Sequence, residues 1–182
     1  LGYVGLPLAI RFTECGFKVI GFDIDENKIN SIKKGQSYIE HIDSNEILSC
    51  VEKGFSATSD YSVVSECDAL IMCVPTPLNV YREPDLSYIN NTIEKMLPFI
   101  RENQLISLES TTYPGTTKEV IAARIESKNF QIGKNFYVVY SPEREDPGNQ
   151  NFNTENIPKI IGGISKNCLE IGYTLYSCAI TK

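Results

Sequence analysis

Two glycines three positions apart, Gly2 and Gly5, precede an apolar, helix-compatible stretch that contains Leu6, Leu8, Ala9, Ile10 and Phe12. Glycines at that spacing suit a turn in which bare backbone approaches a pyrophosphate while a helix N-terminus faces the anion. On their own they also suit an ordinary helix start with incidental glycines. The following residues narrow the choice. Lys18 to Asp23 is a short β-rich run that ends in an acid, and Asp23 lies twenty-one positions after Gly2. That is close to where a dinucleotide-binding fold places the carboxylate that accepts the ribose hydroxyls. Gly2 would let the backbone approach the pyrophosphate, and Gly5 would let helix and strand pack closely. Asp23 would repel a 2′-phosphate, so NAD is the expected cofactor rather than NADP.

Three further segments offer polar groups: Pro75-Thr76-Pro77, Ser110-Thr111-Thr112-Tyr113-Pro114 and Ser141-Pro142-Glu143-Arg144. Each follows a predicted strand, and in open α/β sheets the C-terminal edge of the strands is where ligands sit. Thr76 and Thr112 supply hydroxyls able to bond a cofactor ribose, a nicotinamide or a bound water. Glu143 and Arg144 would bring one carboxylate and one guanidinium to the same rim. With Glu145 they are equally compatible with a solvated charge cluster. His41 is the only histidine, so neither a histidine triad nor a multi-histidine metal site can be built from these residues, and no metal is expected. It is expected in a polar loop. The six cysteines are scattered without a Cys-x-x-Cys pair, which points to reduced, mostly buried thiols rather than disulfides or zinc.

The elements that must position these groups alternate along the chain. Apolar helical patterning after Gly5 stops at Gly16. A short helix over 25–34, capped by Asp25, is closed by Gly35, and another over about 44–53 ends at Gly54. Strands are expected at Phe55–Thr58, at Cys67–Val74 (buried on both faces), at Leu105–Glu109 and at Phe136–Tyr140. Helices are expected from Asp85, with Ile89, Ile93, Met96 and Leu97 inward, from Gly115 to Ser127, and from Asn167 onward. Such alternation means an α/β fold with a parallel sheet covered on both faces. The expected architecture is a Rossmann-type doubly wound parallel sheet over residues 1–182, truncated at its first strand. No apolar strand leads into the glycine turn, so the fragment is expected to be unstable unless that strand is supplied. A net charge of −6 without a basic cluster argues against nucleic-acid or membrane partners, and a soluble, cytoplasmic protein is expected.

Five segments together resemble the UDP-glucose/GDP-mannose dehydrogenase family of nucleotide-sugar 6-dehydrogenases. They are Gly2-Tyr3-Val4-Gly5-Leu6-Pro7, Gly21-Phe22-Asp23-Ile24-Asp25, Val74-Pro75-Thr76-Pro77, Glu109-Ser110-Thr111-Thr112-Tyr113-Pro114-Gly115-Thr116-Thr117 and the run from Ser141 to Asn149. The last of these is similar to the branch that acts on UDP-N-acetylhexosamines, most of all UDP-N-acetylglucosamine 6-dehydrogenases of bacterial surface-polysaccharide pathways. The UDP-glucose branch carries Asn-Pro-Glu-Phe-Leu-x-Glu-Gly there, where this chain has Arg144 for the phenylalanine and Pro147 for the second glutamate.

The resemblance implies a four-electron oxidation of the sugar C6 alcohol to a carboxylate with two NAD⁺, through an aldehyde and a cysteine thioester. By position it implies NAD contacts for Tyr3, Val4, Asp23, Lys28, Thr76 and Thr112. Lys28 is equally compatible with a solvent-facing helical lysine. Thr112 would also help hold the catalytic water, and Glu143 would order water or support proton transfer. Arg144 and the backbone near Glu145 would meet the nucleotide sugar. The family's Gly-Gly-His-Cys segment and its later lysine and asparagine do not occur in these residues. The 182 residues alone are therefore expected to be inactive, and the full-length protein is expected to form a homodimer or higher homo-oligomer. UDP-N-acetylmannosamine or UDP-glucose oxidation, an NAD-binding module without catalysis, and a β-hydroxyacid-type dehydrogenase are the alternatives. The Ser-Pro-Glu-Arg segment speaks against the last.

Overall fold

The computed structural model describes residues 1–142 and 158–180. Glu143, Arg144 and Glu145 lie outside the described residues. The described residues divide into two compact units: 1–60 with 158 and 177–180, and 61–142 with 159–176.

The first unit follows the glycine punctuation of the sequence. Helix α1 (Gly5–Glu14) ends before Gly16, whose φ of 87° is open to glycine at little cost. Strand β1 (Ile20–Phe22) then leads to Asp23. Helix α2 (Glu26–Lys33) is capped by Asp25, whose carboxylate accepts from the Asn27 N–H. It stops at Gly35, with φ 65°. Helix α3 (Ser44–Glu52) is capped the same way by Asp43 and stops at Gly54. Strand β2 (Ser56–Thr58) pairs parallel to β1, Gly21 opposite Ala57. Leu6, Ile10, Ile29, Ile32, Ile47 and Phe55 form the core of this unit.

The second unit carries a four-stranded sheet in the order β3-β4-β5-β6, formed by Ala69–Met72, Gln104–Leu108, Phe136–Tyr140 and Gly162–Gly163. Strands β3, β4 and β5 are parallel, whereas β6 is antiparallel to β5, a reversal that the helix–strand alternation does not signal. All five residues of β4 are buried. Strand β3, expected to be buried on both faces, instead alternates half-buried and buried. It is the outermost strand of this sheet, and only Leu70 and Met72 point into the core. Helix α4 (Ser87–Met96) turns Ile89, Ile93 and Met96 inward, followed by Leu97. The segment after Gly115 is helical as expected but starts as a π-helix (Thr117–Ala122) before continuing as α5 (Ala123–Glu126). Helix α6 (Lys166–Ser177) closes the described chain.

None of the six cysteines is in a disulfide, but only Cys50 and Cys168 are fully buried, and Cys178 is exposed. The expectation of mostly buried thiols is corrected to that extent. Among the described residues no helix is long and apolar enough to cross a membrane. Nor, among them, does any group of three or more His, Cys, Asp or Glu residues stand where it could hold a metal.

Candidate functional site

In the first unit, the glycine turn and Asp23 come together through hydrogen bonds. The Asp23 carboxylate accepts from the Leu1 nitrogen at 2.6 Å and from Lys28 Nζ at 3.1 Å on one oxygen. Its other oxygen accepts from the Asp25 N–H at 2.9 Å. Burial pushes this carboxyl up, but the hydrogen bonds it accepts, among them those from the Asp25 N–H and Lys28, outweigh it and hold the group below its usual range. Asp23 is therefore an ionised acceptor at the end of β1. Lys28 spends its charge on Asp23 from the first turn of α2.

Gly2 meets nothing within 4 Å where a Cβ would stand, and its φ does not require glycine. Neither packing nor backbone conformation within the chain explains the residue, whereas close approach of a phosphate would. The N-terminus of α1 has no side-chain cap and no acidic residue in its first turn, so no side chain there offsets its dipole. Leu6 N–H reaches back to the Gly2 carbonyl at 3.0 Å, and Val4 is the cap position. Tyr3 projects outward, 58% exposed, and stacks on His41 with ring centroids 5.8 Å apart. His41 lies in an exposed turn, as a polar-loop residue should. These features fit a dinucleotide pyrophosphate at the turn and a ribose diol at Asp23.

Tyr38 lies between α2 and α3 and belongs to none of the sequence motifs. Its hydroxyl donates to the Leu1 carbonyl at 2.7 Å and so braces the residue that enters the glycine turn. Burial and the charges of Asp23 and Asp25 push the phenol well above its usual value, which keeps it a neutral donor. The available signal was a lone aromatic hydroxyl between two glycine-stopped helices.

In the second unit, the three parallel strands β3, β4 and β5 end on one edge, so the segments that follow them share a rim. The contacts between these segments are direct. The Glu109 N–H donates to the Met72 carbonyl at 2.9 Å, and Ser141 N–H to the Leu108 carbonyl at 3.0 Å. Ser110 Oγ donates to the Val74 carbonyl at 2.5 Å, and Thr76 Oγ1 donates to the Thr111 carbonyl at 2.6 Å. Thr76 retains acceptor capacity, and Thr112, next in sequence to Thr111, is half-buried with no hydroxyl partner among the described residues. Ser141 Oγ is buried and likewise lacks a partner among them. Glu109, at the end of β4, is 1% exposed and pairs with Lys159 Nζ at 2.6 Å. A single acid at the end of an apolar strand carries no signal of its partner fifty residues away.

Comparison with known proteins gives a consistent result. Residues 1–180 match the model of the UDP-glucose/GDP-mannose dehydrogenase family, NAD binding domain. The chain is 35% identical to a UDP-N-acetyl-D-glucosamine 6-dehydrogenase of Salmonella typhi, covering all of this chain and 42% of that protein. It is also 35% identical to a UDP-N-acetyl-D-mannosamine dehydrogenase of Methanococcus maripaludis, over 97% of this chain and 40% of that one. Among solved structures, the UDP-N-acetyl-mannosamine dehydrogenase of Staphylococcus aureus superposes with a TM-score of 0.92 at 33% identity, over 99% of this chain and 44% of that chain. The chain thus spans less than half the length of the relatives it matches. With an ionised Asp23, an uncapped glycine turn and a family match along almost its whole length, the chain belongs to the UDP-glucose/GDP-mannose dehydrogenase family, of which it is the NAD-binding domain.

Proposed function

We propose that the protein carrying this chain oxidises C6 of a UDP-N-acetylhexosamine, UDP-N-acetylglucosamine in the first instance, to the uronic acid for surface-polysaccharide synthesis. The observation that carries the proposal is the Asp23 carboxylate, held ionised at the end of β1 beside an uncapped glycine turn. When bound, NAD⁺ supplies the hydride acceptor. Gly2, Tyr3, Val4 and Gly5 would hold its pyrophosphate through backbone groups, and Asp23 would accept from its adenosine ribose. Lys28 acts on that ribose through Asp23, to which it is already paired. Thr76 and Thr112 would orient the cofactor from the rim, and Thr112 would also hold a water. Glu143, Arg144 and Glu145 are assigned to the water and the nucleotide sugar on the strength of the family resemblance. Arg144 and Pro147 in place of the UDP-glucose branch's phenylalanine and glutamate support an N-acetylated sugar. Relatives named for the glucosamine and the mannosamine substrates are equally identical to this chain, so the epimer is the finer part of the proposal.

The cofactor assignment is checked by titrating NAD⁺ and NADP⁺ into the full-length protein. The wild type is expected to prefer NAD⁺. Asp23→Asn is expected to weaken NAD⁺ by about tenfold to a hundredfold, the loss of a charge-assisted bond, while narrowing the gap to NADP⁺. An unchanged NAD⁺ affinity in Asp23→Asn would remove Asp23 from the site.

A further inference from the structure

We infer that the buried trio Glu109, Lys159 and Tyr176 is a positioning device for Thr112, the rim hydroxyl given to the cofactor in the proposed function, on which this inference rests. Glu109 stands at the C-terminal end of β4. One carboxylate oxygen accepts from Lys159 Nζ at 2.6 Å, and the other accepts a short bond from the Tyr176 hydroxyl. That hydroxyl also lies 2.7 Å from Ser107 Oγ. The Glu109 and Lys159 side chains are 0% and 8% exposed.

A buried ion pair is a poor device for stability, because desolvating two charges offsets most of their attraction. Here its placement supplies a different reason. Thr112 follows a three-residue segment fixed at every step toward β3: Glu109 through its N–H, Ser110 through its hydroxyl, and Thr111 through its carbonyl. The Glu109 side chain is what fastens that segment to other elements, to Lys159 ahead of β6 and to Tyr176 in α6. The backbone ties the end of β4 to β3 and β5, and the carboxylate adds the ties to Lys159 and to α6.

The fit of α6 to the sheet brings Tyr176 to this point. A Cβ on Gly172 would stand 2.8 Å from Val139 Cγ1, and one on Gly163 would stand 2.3 Å from the Leu169 nitrogen. Both glycines let the helix sit against β5 and β6. A tyrosine near a lysine and a serine could in principle act as a proton donor in hydride transfer. Tyr176 is excluded from that role because it is 1% exposed. Burial, together with the Glu109 charge, also pushes its phenol well above the usual range, so it stays protonated and donates to Glu109. The trio therefore acts through Thr112 and touches no ligand.

The test is a double-mutant cycle on the full-length protein, read as the NAD⁺ dissociation constant in the wild type, Glu109→Gln, Thr112→Ala and the double variant. Glutamine keeps the shape of Glu109 and removes the charge that holds Lys159. Glu109→Gln is expected to weaken NAD⁺ by about tenfold while Thr112 is present, and by less than about twofold once Thr112 is alanine. Equal losses in the two backgrounds would overturn the inference, since Glu109 would then act independently of Thr112. If Glu109→Gln does not fold, Tyr176→Phe, which removes one hydroxyl and keeps the ring, runs through the same cycle with the same two outcomes. Wild-type protein that binds NAD⁺ yet oxidises no nucleotide sugar would contradict the proposed function and leave the cycle fully readable.

Discussion

Asp23 gathers three donors onto one carboxylate, and that arrangement decides its chemistry: the group is ionised, fixed in direction and already paired with Lys28. Because its folded pKa is depressed, its contribution to stability is present above the ordinary carboxyl value of 3.8 and is lost as pH falls through the lower folded value. Tyr38 plays the supporting part. Tyr38→Phe deletes the bond to the Leu1 carbonyl while keeping the ring in place. It is expected to cost about 1 kcal/mol of stability and to weaken NAD⁺ about fivefold. Thermal unfolding and calorimetric titration of the full-length variant check both, and a loss of stability with no loss of affinity would make the residue a packing element only. Asp23 was legible in the sequence as the acid that closes a short β-rich run at a set distance from Gly2, and the structure places it at the end of β1. Tyr38 was not, since a loop tyrosine becomes meaningful only when the fold brings it 2.7 Å from a residue thirty-seven positions earlier.

At the scale of elements, the local signals were clear where one residue suffices to end or begin a structure. Gly16, Gly35 and Gly54 stop their helices at positive φ, and Asp25 caps α2 as its type suggests. The signals fade where neighbours in space decide. The antiparallel entry of β6 depends on a two-residue Gly162–Gly163 pairing too short to leave a period. The π-helical start after Gly115 has the same apolar spacing as an α-helix over so few residues. Strand β3 buries only alternate residues, Leu70 and Met72, a pattern that its continuous apolar composition does not show. Helix α6 illustrates the point energetically. Gly172→Ala would press a methyl group onto Val139, which a fixed sheet resists. The substitution is expected to cost about 1–3 kcal/mol and to lower the melting temperature by several degrees. Denaturant unfolding measures it, and a neutral or stabilising result would show that α6 is free to shift and does not hold Tyr176 tightly.

For the whole molecule, the division of labour follows the two units. One carries the glycine turn, Asp23 and Tyr38. The other carries the rim formed by the segments after β3, β4 and β5, with Glu109 buried at the end of β4. The rim was legible because polar, proline-rich segments recur after successive apolar strands, and parallel neighbours must end on one edge. The Glu109–Lys159 pair was not, because its partners are fifty residues apart and each alone resembles a surface charge. The chain spans under half the length of the relatives reported above, and the C6 oxidation is proposed for the protein that carries it. That activity is tested most directly by following NADH production when full-length protein is given a limiting, known amount of UDP-N-acetylglucosamine and excess NAD⁺. The account predicts two NADH per sugar consumed, with the uronic acid as product. One NADH per sugar, or none with UDP-N-acetylglucosamine, UDP-N-acetylmannosamine or UDP-glucose, would contradict it.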